Sequence, residues 1–235
     1  MAEEIILAIQ NPRNRNHHPV VVAVKGWMKF EVRENRYNVP VEALNDEFPL
    51  ENKMSILKSL VRRYERLAVP ILIEALRDSE WMIRHQAALQ LGYLGDRAAV
   101  PALIQLLGDS ESCIRTVAAG ALGKLRDPEA VPALIEALED RDSWVREAAC
   151  SALGNIRDRR AVPALISKLQ EDRDKYVRKA ACWALGHIGD PKAIPYLKAA
   201  AAKDKRIVRF EARQALKAIF RRLNKKKIHH RASSS

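Results

Sequence analysis

The sequence predicts an all-α protein, an α-solenoid of stacked helix pairs made of about five 31-residue repeats behind an irregular N-terminal cap. Three observations predict it. A proline in an Ala-Val-Pro or Ala-Ile-Pro signature recurs at Pro70, Pro101, Pro132, Pro163 and Pro195, in steps of 31, 31, 31 and 32 residues. An arginine keeps the same beat at Arg84, Arg115, Arg146, Arg178 and Arg209. Within each unit the apolar residues follow the helical period twice. Such a period dictates a repeat architecture, because one helix pair cannot bury both of its faces and stacked pairs can.

Residues 1–50 do not follow the beat and form an irregular segment. Ala2 to Gln10 reads as a short helix. Asn11 to Pro19 is polar and rich in turn-forming residues. Val20 to Val24, before Gly26 and Trp27, is β-branched and apolar, which suits a strand or extended packed segment, with helix as the competing reading. Tyr37 to Leu50 contains Pro40 and Pro49 and turns around a short helix. Residues 51–67 read as a capping helix of a degenerate repeat, with Ile56, Leu57, Leu60, Val61 and Tyr64 on one side. Terminal repeats are expected to be atypical because one face lacks a neighbour.

The array proper is read over residues 68–224, and the unit at 130–160 shows its logic. Val131, Leu134, Ile135 and Leu138 form one apolar stripe, and Val145, Ala149, Ala152, Leu153 and Ile156 a second. Asp140, Asp142 and Ser143 break the first helix and offer a cap for the second. Asp96, Asp127, Asp158 and Asp190 lie 12 residues after a repeat arginine and can cap the next first helix. Pro128 and Pro191 follow two of them at a first helical position, where a missing N–H costs little. Each repeat arginine also follows an aspartate (Asp78, Asp109, Asp140, Asp172, Asp204), which predicts a structural ladder of Asp–Arg contacts between adjacent units. Gly92, Gly123, Gly154 and Gly186 share one register and predict close helix approach. Arg221 stands where the recurring aspartate would be, and residues 225–235 read as a basic, disordered tail.

The pattern AVPALIxAL…VRxAAxxALGxIGD, carried from about Ala68 to Asn224, resembles the short HEAT-like repeat named after phycobilisome (PBS) lyases. The resemblance implies an armadillo-like helical fold. For function it implies a range: phycobilin lyase subunits, phycobilisome-processing factors, hydroxylases and scaffolds.

Composition narrows the field. The chain has 235 residues, 48% of them apolar and 30% charged, enough for a core. No apolar run reaches membrane-spanning length, and the opening residues MAEEIILAIQ lack a basic leader pattern, so the expected compartment is the cytoplasm or an equivalent interior. The formal charge of +12 is concentrated: residues 161–235 carry 19 basic and 6 acidic side chains, whereas residues 68–160 carry 11 and 14. Lys203, Lys205, Arg206, Lys225, Lys226 and Lys227 therefore mark a patch for an acidic partner, either a protein, nucleic acid or a membrane surface.

The second helices of such arrays line one concave face. Outward positions fall just before the Ile/Val-Arg pair, just after the arginine, and five and nine residues after it. The first row reads Met82, Cys113, Trp144, Tyr176, Ile207. The fifth-after row reads Leu89, Gly120, Ser151, Trp183, Gln214, and the ninth-after row Tyr93, Lys124, Asn155, His187, Ala218. These rows vary while the packing rows hold. The expected partner site is Trp81, Met82, Tyr93, Trp144, Tyr176, Lys179, Trp183 and His187, centred on Trp144, Tyr176 and Trp183.

Catalysis and metal binding have little to stand on. The three cysteines suggest no disulfide framework; Cys150 and Cys182 hold a packing position and Cys113 an outward one. There is no C-x-x-C, H-x-x-x-H or phosphate-binding glycine motif, and no His-Glu dipeptide of the kind HEAT-type di-iron hydroxylases carry. The leading expectation is a non-enzymatic protein-binding scaffold with no cofactor. The first alternative, resting on the resemblance, is a phycobilin lyase subunit or phycobilisome-processing factor that holds a phycobiliprotein or bilin, at most an accessory lyase subunit. The second is a nucleic-acid-binding HEAT-like protein.

Overall fold

The structure, a computed structural model, describes residues 5–8, 20–23 and 68–232, with side chains from Ala68 to Asn224. The chain divides into two units, Met1–Pro70 and Ile71–Ser235. In the first, strands β1 (Ile5–Ala8) and β2 (Val20–Ala23) pair antiparallel, with Ile5 opposite Ala23, Ile6 opposite Val22 and Leu7 opposite Val21. A helix is expected over Ala2 to Gln10, and the described part of that stretch, Ile5–Ala8, is instead a strand. Ile5 and Ile6 are β-branched, and Ile6, Leu7 and Ala8 each gain a cross-strand valine, a long-range gain that a local helical reading does not weigh. The strand reading of Val20 to Val24 agrees with β2. The expectations for 11–19, 37–50 and the capping helix at 51–67 lie outside the described residues.

The second unit is the helical array. Its helices are α1 (Val69–Ala75), which begins at the boundary, α2 (Trp81–Leu94), α3 (Val100–Leu106), α4 (Ser112–Leu125), α5 (Val131–Ala137), α6 (Ser143–Ile156), α7 (Val162–Glu171), α8 (Lys175–Ile188), α9 (Ile194–Lys203) and α10 (Arg206–Ala232). From α3 on, each first helix packs on the second helix of its unit, and the second helices pack in a row, α2 on α4, α4 on α6, α6 on α8 and α8 on α10. The core is periodic in consequence. Leu103, Leu134, Leu165 and Leu197 from first helices, and Ile83, Ile114, Val145, Val177 and Val208 from second helices, are fully buried. Each such side chain contributes about 1.5–3 kcal/mol on burial.

Capping follows the aspartate beat with one refinement. Asp96, Asp127, Asp158 and Asp190 accept the backbone N–H two residues on, at 2.8–3.0 Å, and so start a three-residue 3-10 turn that feeds the first helix. Asp142 and Asp174 cap α6 and α8 through the N–H of Trp144 and Tyr176. Helices α2, α4, α6 and α8 all stop after 14 residues on a left-handed residue: Gly95, Arg126, Arg157 and Gly189. The last second helix does not stop. At the equivalent place it carries Phe220 and Arg221, with neither glycine nor a capping aspartate, and it runs on to Ala232. The tail expected to be disordered from 225 is therefore helical through 232; its lysines and arginine are good helix formers and no proline or glycine interrupts them.

The arginine ladder is present. Arg84 grips Asp109, Arg115 grips Asp140, Arg146 grips Asp172 and Arg178 grips Asp204, each through Nε and Nη2 at 2.6–3.0 Å. Nη1 of each donates to the backbone carbonyl of the aspartate in its own unit. One guanidinium thus ties two units and the inter-helix turn together. At Asp140 and Asp204 the arginine fork is the main cause holding the carboxyl below its ordinary pKa. At Asp109 and Asp172 burial pushes the other way and is outweighed by the fork and a backbone N–H. No helix among the described residues is long and apolar enough to cross a membrane.

Candidate functional site

The row of second helices is spaced by glycines. A Cβ on Gly123 would sit 2.8 Å from Ala152 Cα, one on Gly154 2.8 Å from Ala184 Cα, and one on Gly186 2.8 Å from Ala215 Cα. Each glycine receives the backbone of the next second helix. This tight row puts the outward side chains of successive units side by side on one surface.

On that surface Trp144 and Tyr93 are each 70% exposed, Tyr176 49% and Trp81 45%. A large aromatic left in solvent by the register itself, rather than by fraying, is available for a partner. Lys124 Nζ lies 3.6 Å above the Tyr93 ring, and Lys175 Nζ 5.1 Å from that of Tyr176. Met82 is half-buried and Lys179 exposed.

Trp183 and His187 behave differently. The indole lies against Gly154, filling space beside the helix contact, and stacks on the His187 ring with centroids 3.8 Å apart. His187 Nδ1 is 3.0 Å from the Trp183 carbonyl, which places its proton on Nδ1. Both side chains are half-buried. The expected centre on Trp144, Tyr176 and Trp183 is thereby filled at its Trp183 end.

The open depression is one unit earlier. It has a volume of about 540 Å³ over α2, α4 and the start of α6, with His85, Leu89, Cys113, Thr116, Lys124 and Trp144 in its lining. It exists because Cys113 and Gly120 are small where later units carry Trp144, Tyr176 or Trp183, and Thr116 is short where other units carry His85, Glu147 and Lys179. Only Trp144 of the expected site borders it. Cys113, Leu89, Gly120 and Lys124 belong to the outward rows, and the small size of Cys113 and Gly120 among the larger residues of those rows is the signal in the sequence that marks this opening. His85 belongs to the row just after the arginine. Burial lowers its pKa, so it lines the depression as a neutral ring. In the same row, burial raises the Glu147 carboxyl, with Lys179 opposing and Asp174 adding to the shift.

Cys150 and Cys182 are buried, and burial pushes the Cys182 thiol up to about 12 and Cys150 further, which leaves both as unreactive packing groups. Cys113 is exposed. Among the described residues no group of His, Cys, Asp and Glu could hold a metal ion. In the expected acidic-partner patch Lys203, Lys205 and Arg206 are exposed where α9 meets α10; Lys225, Lys226 and Lys227 are on α10, their side chains outside the described residues.

The fold and this face define a helical-repeat protein of the HEAT and armadillo class. The HEAT repeat family model matches residues 69–153 and 131–217, and the chain belongs to that family. Among solved structures it is similar to the complex of CpcE and CpcF of phycocyanin lyase from Nostoc sp. PCC7120, at 32% identity and a TM-score of 0.58, covering 74% of this chain and 69% of that one. A designed armadillo repeat protein in complex with the peptide (KR)4 is similar in fold, at 20% identity and a TM-score of 0.55, covering 70% and 86%. No curated protein matches the sequence.

Proposed function

We propose that the chain is a non-catalytic scaffold that holds a protein partner on the face of its second helices. The observation that carries this reading is the exposure of Trp144 at 70%, fixed at the rim of a depression by a repeat register that buries its neighbour Val145 completely. Tyr93, Trp81 and Tyr176 extend the same surface, with Met82 next to Trp81 in the chain and Lys179 one turn on from Tyr176. Rigid aromatics at the centre of a patch are where binding energy concentrates. A photo-crosslinking residue at Ser151 tests it. The expected result is one defined protein adduct that disappears in Trp144→Ala. Adducts unchanged by that substitution, or shared with a crosslinker at Glu136 on a first helix, would remove the site.

A second reading has one specific observation behind it. The 32% identity to the phycocyanin lyase CpcE–CpcF complex favours a lyase subunit or phycobilisome-processing factor, in which the depression beside Trp144 takes a bilin or part of a phycobiliprotein. Adding bilin to the purified chain distinguishes the two. An induced visible circular dichroism signal lost in Trp144→Ala supports pigment binding, and its absence leaves the scaffold reading.

A further inference from the structure

The last second helix shows on its outer side what the array uses as internal glue. In each of the four preceding units, the side facing the next unit carries an arginine, then a small buried residue four later, a glycine eight later and an aspartate twelve later. The unit at 130–160 has Arg146, Cys150, Gly154 and Asp158. In α10 the same four places hold Arg209, Arg213, Lys217 and Arg221, and all four are exposed. Lys217 stands where every earlier unit has the glycine that admits the next helix, so another unit of this chain's kind cannot seat there.

Stopping a stack needs only a polar face. This one is a single-sign stripe with cations at i, i+4, i+8 and i+12, a spacing at which like charges repel. Glu211 is the one carboxylate between Arg206 and Ala232, and its charge acts on Cys182 of the preceding helix. Among the described residues no carboxylate pairs with Arg209, Arg213, Lys217 or Arg221. The chain's own pattern names the missing group. Arg84, Arg115, Arg146 and Arg178 each take a carboxylate from the following unit by two N–H bonds, and Arg209 is the fifth copy, its fork left without one among the described residues. Phe220, 43% exposed, lies on the same side.

We infer that this end face, Arg209, Arg213, Lys217, Phe220 and Arg221, docks an acidic α-helix of a partner protein. The internal copies of the face receive a helix. Four cations rising ~6 Å per step match a helix with a carboxylate at every fourth residue. The proposal rests on the scaffold reading only in taking the partner to be a protein, and it uses a surface separate from the depression beside Trp144.

The test uses the full chain and a synthetic alanine-based helix bearing glutamate at every fourth position. A control peptide has the same composition with the glutamates spread around the helix. The striped peptide is expected to bind ~10-fold tighter than the control, and to weaken between low and high salt as exposed charges are screened over ~10 Å at 0.1 M. Arg209→Lys keeps the charge and loses the fork, so it should weaken binding, and Arg213→Ala with Lys217→Ala should abolish it at an unchanged melting midpoint. Trp144→Ala should leave it intact. Equal affinity for both peptides, tighter binding of duplex DNA or of phosphatidylserine vesicles, or loss in Trp144→Ala would each overturn the proposal. Failure of the unaltered chain to give a defined crosslink at Ser151 would count against the scaffold site and not against this face.

Discussion

Gly123 and Gly120 stand three residues apart on α4 and should respond in opposite ways. A methyl on Gly123 would press on the backbone of Ala152, whereas nothing lies within 4 Å of one on Gly120. Gly123→Ala should therefore destabilise by about 1–3 kcal/mol through overpacking, with Gly154→Leu at least as severe. Gly120→Ala should instead stabilise by up to about 1 kcal/mol, the helix-propensity difference. Denaturant titration of the two variants checks both signs at once, and a common sign would break the assignment of the two rows. The tryptophans divide similarly. Trp144→Ala should leave the melting midpoint unchanged, because the ring is 70% exposed. Trp183→Ala removes a ring resting on Gly154 and His187 and should cost roughly 2–3 kcal/mol, less than full burial would.

At the scale of the element, the joints decide stability. Arg115 is 7% exposed and its partner Asp140 12%. Asp140→Ala would strand that guanidinium and uncap the N–H of Asp142, for a loss of about 3 kcal/mol or more. The ladder also sets an acid limit. Asp109, Asp140, Asp172 and Asp204 all have folded pKa values below the ordinary carboxylate value. On acidification the unfolded chain takes up these protons first, so the stabilisation is complete above about pH 4 and is lost as pH falls below it. Melting midpoints from pH 6 to pH 2.5 should fall steeply only at the acid end, and more shallowly in Asp140→Asn. Helix ends offer the reverse change. Arg157 sits at φ 61°, where Gly189 stands in the last internal unit. Arg157→Gly should stabilise by a few tenths of a kcal/mol up to about 1, the relief of a left-handed side chain set against glycine's freer unfolded chain.

For the whole molecule the governing quantity is charge. The basic excess collects after residue 160 and ends on a helix that carries ten cations and one carboxylate. Removing residues 225–235 and neutralising Lys203, Lys205 and Arg206 should weaken an acidic partner mainly at low ionic strength. An affinity that ignores both salt and truncation would leave the patch as a solubility device.

The sequence by itself determined the repeat, the helix pairs, the aspartate caps, the arginine ladder and the glycine register. All of these are set by residues at fixed spacing, and a one-dimensional stack repeats one interface, so a period read along the chain is also a period in space. The same spacing marked which rows face outward. Tertiary structure alone decided what stands open in those rows. Trp183 and Trp144 are both tryptophans on outward rows, yet one folds down onto the neighbouring unit's glycine and the other stands over a depression made by Cys113, Thr116 and Gly120. That difference depends on side chains one unit away, which no local pattern contains. The strand at Ile5–Ala8 has the same cause: its preference came from the valines it pairs with, not from its own neighbours.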